Sequence, residues 1–348
     1  MRFEGAYTAL VTPMLSDGAV DWDGLERNIE FQISQGIAGL VPAGTTGESP
    51  TLNWQEHNQA IERTIEIAGG RCQIIAGTGS NSTAECIAST RHASEAGAKA
   101  VLMVDCYYNG PSSQELREEY YAALAERFPT IAIVPYIIPG RSGTALAPED
   151  LAILAARHPN VSAVKEATGD LARMARTREL CGPDFGILSG DDDVTHKMLV
   201  DPAILADGVI SVVTNVVPAS VQRMVSAARS GDKETAGRLQ NALSPLFGIV
   251  TVKVENERTL PDGRRVVVTD KYRNPVAIKT LMAGLGLPAG PCRPPLGKMT
   301  RAGVEVVRQA VKKVSESNPE ILAPMAQFYG IDIGARIADD ACWTPLAG

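Results

Sequence analysis

The sequence predicts an α/β fold, a (β/α)8 TIM barrel with a C-terminal helical domain. Three observations lead there. Residues 1–230 repeat one pattern eight times, in which a short apolar run is followed by a loop and an amphipathic helix. The apolar runs are continuous, as in Ile-Ile-Ala-Gly (74–77) and Ala-Ile-Val-Pro (132–135), which is expected of strands buried on both faces. Aromatic residues make up only 5% of the chain, so its core must be small and aliphatic, which suits a tightly wound barrel better than a β sandwich. An open, doubly wound sheet of eight parallel strands is the alternative.

Taken in order, strands are expected near Tyr7–Val11, Gly39–Ala43, Gln73–Gly77, Ala100–Val104, Ile131–Pro135, Ser162–Lys165, Phe185–Leu188 and Gly208–Ser211. Between them, helical periodicity runs over 21–35, 53–68, 82–96, 114–127, 148–157, 170–181, 192–200 and 218–230. Asp21, Asn53, Ser82, Ser113 and Asp170 stand at helix starts, where a side-chain oxygen can satisfy free N–H groups. Beyond residue 230 the strand signal stops. Helices over 232–246, 275–285 and 301–316 make residues 231–316 a helical domain appended to the 1–230 barrel. Within it, near 254–273, Pro261-Asp262-Gly263 separates two β-prone arms and predicts a hairpin or an exposed loop. Residues 317–348, with Pro319, Pro324, Gly330, Gly334 and Pro345, form a C-terminal extension rather than another barrel unit.

Composition narrows the function. Lys and Arg number 33 against 40 Asp and Glu, a net charge of −7, which offers no attraction to nucleic acid or anionic lipid. No apolar run reaches the roughly 18 residues that span a membrane. The six cysteines form no C-x-x-C pair and read as reduced thiols in a cytoplasmic protein. The four histidines are dispersed, so no metal site is legible from spacing.

In a barrel of this kind, chemistry sits where strands end. Polar residues just after the apolar runs are Gly44-Thr45-Thr46-Gly47-Glu48, Tyr107-Tyr108-Asn109, Tyr136 with Arg141, Lys165-Glu166, Ser189-Gly190-Asp191 and Ile210-Ser211. Lys165 is the most informative. At the mouth of an apolar barrel, desolvation favours its neutral amine, the form that attacks a carbonyl to make a Schiff base. For an isolated lysine the ordinary reading is a side chain snorkelling to solvent or paired with Glu166. The neighbouring strand ends shift that balance. Tyr136 can shuttle protons, the Thr45 and Thr46 hydroxyls can hold a carboxylate, and Arg141 can take a second carboxylate in bidentate fashion. Asp191-Asp192-Asp193 could bind a divalent cation, but an acidic first turn of a helix is the commoner cause. Cys106 has no histidine placed to activate it.

These strand ends resemble the pyruvate-dependent class I aldolase family of dihydrodipicolinate synthase and N-acetylneuraminate lyase. The matching motifs are Leu-Val-Thr-Pro (10–13), Gly-Thr-Thr-Gly-Glu (44–48), Ala-Gly-Thr-Gly (76–79) and Tyr-Tyr-Asn (107–109). Further along are Tyr136 with Pro-Gly-Arg-Ser-Gly (139–143), Val-Lys-Glu-Ala-Thr-Gly (164–169), Leu-Ser-Gly-Asp-Asp (188–192) and Gly-Val-Ile-Ser-Val (208–212). The resemblance implies that Lys165 forms the imine with pyruvate, and that Tyr136, Thr45 and Tyr108 relay protons. Tyr108 would reach into the neighbouring subunit's site. Thr46 would bind the pyruvate carboxylate and Arg141 that of L-aspartate 4-semialdehyde, while Gly190 and Ile210 would line the pocket.

It further implies a homo-oligomer built from tight dimers, no metal or organic cofactor, and inhibition by L-lysine at the dimer seam. There stand Ser49, Pro50, Trp54, His57, Asn81, Glu85 and Tyr107. Glu85 can pair with an ammonium, Asn81 and Tyr107 can bond a carboxylate, and Trp54 can cover the aliphatic stem. The expected reaction is the pyruvate–semialdehyde condensation that enters lysine biosynthesis. A related lyase acting on a 2-keto-3-deoxy sugar acid and a catalytically silent binding barrel are the alternatives. Ile137 stands where the synthase pattern has Asn, Gly110 where Arg is common, and 254–273 and the tail are additional to that pattern.

Overall fold

Eight parallel strands close in sequence order into a barrel in the computed structural model, which describes residues 1–348. They are β1 (Gly5–Ala9), β2 (Gly39–Val41), β3 (Gln73–Gly77), β4 (Ala100–Val104), β5 (Ala132–Ile137), β6 (Ala163–Glu166), β7 (Gly186–Ser189) and β8 (Gly208–Ser211). The open-sheet alternative is excluded by the ladder joining β1 to β8, which sets Gly5 beside Gly208 and Tyr7 beside Ile210. A Cβ at Gly208 would lie 2.1 Å from the Gly5 carbonyl oxygen, so closure depends on the missing side chain. Inside the barrel, Tyr7, Val41, Leu102, Val134 and Leu188 form a compact inner cluster.

Around it lie α1 (Trp22–Ser34), α2 (Trp54–Ala68), α3 (Thr83–Glu95), α4 (113–127), α5 (Pro148–Arg157), α6 (Leu171–Cys181), α7 (Thr195–Val200) and α8 (Pro218–Arg229). Asp21 and Asp170 cap as expected, accepting from Gly24 N and Arg173 N, and Asn53 forms a full capping box with Glu56. At α4 the cap is Ser112 rather than Ser113, because Glu115 bonds back to the Ser112 N–H at 2.8 Å. Ser82 holds its cap position with no side-chain bond.

The seventh helix begins at Thr195, not at 192, because Asp192 is drawn inward to accept from Val212 N and Val213 N. Strand limits shift as well. β1 starts two residues earlier than read, and β5 runs on through Tyr136 and Ile137.

Beyond the barrel come α9 (Lys233–Phe247), α10 (Val276–Leu285) and α11 (Arg301–Ser317). One apolar core runs continuously from the barrel shell into these helices. Between α9 and α10 the chain forms a hairpin of β9 (Thr251–Thr259) and β10 (Arg265–Arg273), closed by Leu260 N donating to Arg264 O at 2.8 Å. The extension packs back onto the molecule through α12 (Ala323–Tyr329) and α13 (Ile333–Ala338). Tyr329 OH donates to Asn28 Oδ1 at 2.8 Å, and Trp343, 2% exposed, covers Gly284, where any Cβ would collide with the indole.

One buried ion pair joins the barrel to the C-terminal helices. Lys279 of α10 donates to Glu48 Oε1 at 2.5 Å and to the carbonyls of Thr12 and Pro291, while Glu48 Oε2 accepts from Arg293 N. Both side chains are almost wholly removed from water. Lys279→Met should therefore destabilise the fold by about 3–5 kcal/mol, since it strands a buried carboxylate. Glu48→Gln combined with Lys279→Met should recover part of that loss. Chemical denaturation reads both, and a single-variant loss below about 1 kcal/mol would show that the pair is solvated.

Candidate active site

Strand alternation decides which side chains enter the barrel mouth. On β6, Lys165 points inward, and Glu166 points out to the helix layer, where it accepts from Arg173 Nε at 3.3 Å. Glu166 therefore has its own cation and does not pair with Lys165. Parallel register sets Lys165 beside Tyr136 of β5, and the Lys165 ammonium nitrogen lies 4.0 Å from the centre of the Tyr136 ring. Lys165 is 5% exposed. Desolvation pushes its pKa down to about 8, against the opposing pull of the Asp191 and Asp192 carboxylates. Burial pushes the Tyr136 phenol up to about 12, and Arg141 and the Thr45 hydroxyl draw it partly back. A proton donor thus stands beside an amine whose free-base form is far more accessible near neutral pH than that of an ordinary lysine.

Gly190 makes room for that amine. A Cβ there would lie 3.1 Å from Lys165 Cε and 2.7 Å from Ala167 Cβ. Lys165, Tyr136, Thr45, Thr46, Arg141 and Gly190 all line one cavity of about 210 Å³. An adjoining lobe of about 240 Å³ shares Thr45, Tyr136 and Arg141 with it and is walled by Ser49, Pro50 and Tyr107. Ile210 lies elsewhere: it is fully buried in the inner cluster, and Val212, two residues on, forms the wall instead. Tyr108 lies outside its own chain's cavity. It is 92% exposed, on backbone with φ +75°.

The remaining predicted residues gather beside the second lobe. Glu85 and the Asn81 backbone act on the Tyr107 phenol, whose pKa is raised chiefly by burial. The rings of Trp54 and His57 meet edge-on at 5.3 Å. Asn81 Oδ1 is buried without a hydrogen-bond partner.

Several cavity residues were not legible as site residues. Asp191 lines the wall, where burial raises its carboxyl to about 6, and it lies ahead of the helix that starts at Thr195 rather than in its first turn. Asn274 donates to Thr46 Oγ1 at 2.9 Å, and Arg141 Nη2 donates to Asn274 O at 2.8 Å. Its place immediately after the additional segment 254–273 was the signal available for it. Lys271 and Arg273 also line the cavity, and their places depend on how the hairpin folds.

A pH dependence follows. Pyruvate imine formation, read by borohydride trapping, should rise as pH passes through about 8 and level off above it, because only the free amine attacks. Asp191→Asn should move that limb to lower pH, since the 191 carboxylate favours the ammonium. An unmoved limb would assign the titration to another group.

A (β/α)8 barrel carrying a buried lysine of lowered pKa beside a phenol defines a lyase of the class I aldolase type. Comparison with known proteins sharpens this. The chain belongs to the dihydrodipicolinate synthetase family, whose model matches residues 2–267. It is 39% identical to the 4-hydroxy-tetrahydrodipicolinate synthase of Methanothrix thermoacetophila over 315 residues, which is 90% of this chain and 98% of that one. The solved synthase of Methylacidiphilum fumariolicum SolV superposes with a TM-score of 0.81 at 35% identity, over 94% of this chain and 99% of that one. The enzyme of Cyanidioschyzon merolae, solved with lysine bound, superposes at 0.80 and 33% identity, over 90% and 98%.

Proposed function

We propose that this chain condenses pyruvate with L-aspartate 4-semialdehyde to give 4-hydroxy-tetrahydrodipicolinate and water, the entry step of lysine biosynthesis. The observation that carries the reading is the lowered Lys165 amine in one cavity with Tyr136 and Arg141. Lys165 attacks the pyruvate ketone, and Tyr136, with Thr45 and the Tyr108 phenol of a neighbouring subunit, delivers the proton that lets the carbinolamine oxygen leave as water. Thr46, oriented by Asn274, receives the pyruvate carboxylate. Loss of a methyl proton makes the enamine, whose carbon adds to the aldehyde while Arg141 holds the acceptor's carboxylate. The acceptor's own amine then displaces Lys165, closing the ring and freeing the enzyme. The imine is itself the electron sink, so the reaction calls for no metal or organic cofactor.

The test is turnover of pyruvate with aspartate semialdehyde against cleavage of 2-keto-3-deoxy sugar acids. Preference for the semialdehyde supports the reading, and preference for the sugar acid overturns it. No helix is long and apolar enough to cross a membrane, and a cytoplasmic homo-oligomer of tight dimers fits the exposed Tyr108.

Inhibition by L-lysine belongs to the same proposal. Glu85 would take an ammonium, Asn81 and Tyr107 a carboxylate, and the half-exposed Trp54 the aliphatic stem, with Ser49 and Pro50 completing the wall and the buried His57 backing the Trp54 ring. Millimolar L-lysine should slow the initial rate, and Glu85→Ala should weaken that effect. An enzyme insensitive to lysine, or equal inhibition in the variant, would refute this site.

A further inference from the structure

The hairpin brings cations to the cavity that no ion pair consumes. Lys271 and Arg273 of β10 line the same lobe as Lys165 and Arg141. Two residues apart on one strand, they share a face of the hairpin. Register sets Arg273 opposite Thr251 and Lys271 opposite Lys253, and two lysines directly opposed cost sheet stability. Toward the hairpin tip the charges are matched instead: Arg258 pairs with Asp270 at 2.7 Å, Arg264 with Asp262, and Arg265 with Glu257. Uncompensated positive charge is therefore confined to the end that meets the barrel.

The two arginines there are laced together. Arg273 Nη1 donates to Gly140 O at 2.6 Å, and Arg141 Nη2 donates to Asn274 O at 2.8 Å. Each guanidinium is anchored to the other's segment through one nitrogen and keeps further N–H groups free. The two cations are close enough that Arg273 helps to lower the Arg141 pKa, behind desolvation. Neither guanidinium forms a salt bridge, and the Asp191 carboxylate acts on Arg141 only at longer range, so the pair still calls for an anion. With the pyruvate carboxylate assigned to Thr46, the anion left for the two guanidiniums is the acceptor's carboxylate.

We propose that Arg273, delivered by the hairpin, is a second carboxylate-binding residue of the acceptor subsite, with Lys271 extending the same positive wall. The hairpin is then a specificity element for anionic aldehydes. This rests on the reading of Arg141 as the acceptor's carboxylate residue.

Arg273→Ala should raise the KM for aspartate semialdehyde about tenfold or more, the scale of a lost charge-assisted hydrogen bond, and leave the KM for pyruvate unchanged. Unimpaired borohydride trapping of pyruvate on Lys165 shows that the variant is folded, and Arg273→Lys should recover part of the loss. A semialdehyde KM unaltered in Arg273→Ala, or a pyruvate KM raised equally, overturns the clamp. Calorimetry of succinate semialdehyde on the borohydride-reduced pyruvate adduct reads acceptor binding without turnover. There, about tenfold weaker binding in Arg273→Ala supports the clamp, whereas equal affinity, or none in the unaltered enzyme, overturns it whatever acceptor is turned over. Failure of the unaltered enzyme to use aspartate semialdehyde counts instead against the proposed function.

Discussion

Lys165→Ala should abolish the borohydride-stable pyruvate adduct and lower turnover by roughly 10⁴-fold or more, the scale at which loss of a covalent nucleophile is felt. Without a primary amine there is no imine, and without the imine nothing in the cavity can stabilise a carbanion on the pyruvate methyl. Arginine at 165 would not substitute, because a guanidinium stays charged where attack needs a free lone pair. The fold should tolerate the change, since alanine removes a desolvated cation rather than a packed apolar group. Intact-mass analysis after pyruvate and borohydride decides the matter. A mass gain that survives in Lys165→Ala, or an adduct mapped to another lysine, would remove the mechanism.

Tyr136→Phe should lower kcat by roughly 10²- to 10⁴-fold with the protein still folded, the range of a lost general acid–base group. Only the phenol oxygen is deleted. The ring still fills the end of β5 and still faces the Lys165 nitrogen, so binding and packing are disturbed far less than proton transfer. With its pKa raised to about 12, the phenol is protonated at neutral pH and stands ready as a donor. Arg141 pulls in the opposite direction and eases its transient ionisation. Rapid-mixing measurements separate imine formation from later steps. A kcat near that of the unaltered enzyme would mean that the proton travels by another route.

Much of this molecule is legible without coordinates. Apolar runs that are buried on both faces can only be inner strands, and eight of them spaced by amphipathic helices leave few arrangements. The reactive lysine is legible for a related reason: a long cation at the end of such a run must either find a partner or lose its proton. Helix starts were readable at Asn53 because both halves of its capping box are local. At Asp192 the same local rule misled, because the carboxylate is taken by backbone N–H groups at 212 and 213, twenty residues away.

The residues that escaped notice share one property: their role is set by contacts distant in sequence. Asn274 reaches Thr46, 228 positions back, and Arg273 reaches Gly140, 133 positions back. Ile210 and Val212 are both apolar and lie two residues apart, and only the end of the β8 ladder at Ser211 separates inner packing from the cavity wall.

By itself, the sequence determined the barrel and the lysine for which imine chemistry is proposed, because apolar periodicity and the place of a residue at a strand end are local properties of the chain. The tertiary structure alone decided which way the hairpin's cations face and what shares the cavity with Lys165. Those outcomes depend on how separate segments dock, and docking is a sum of long-range contacts that no short stretch of residues encodes.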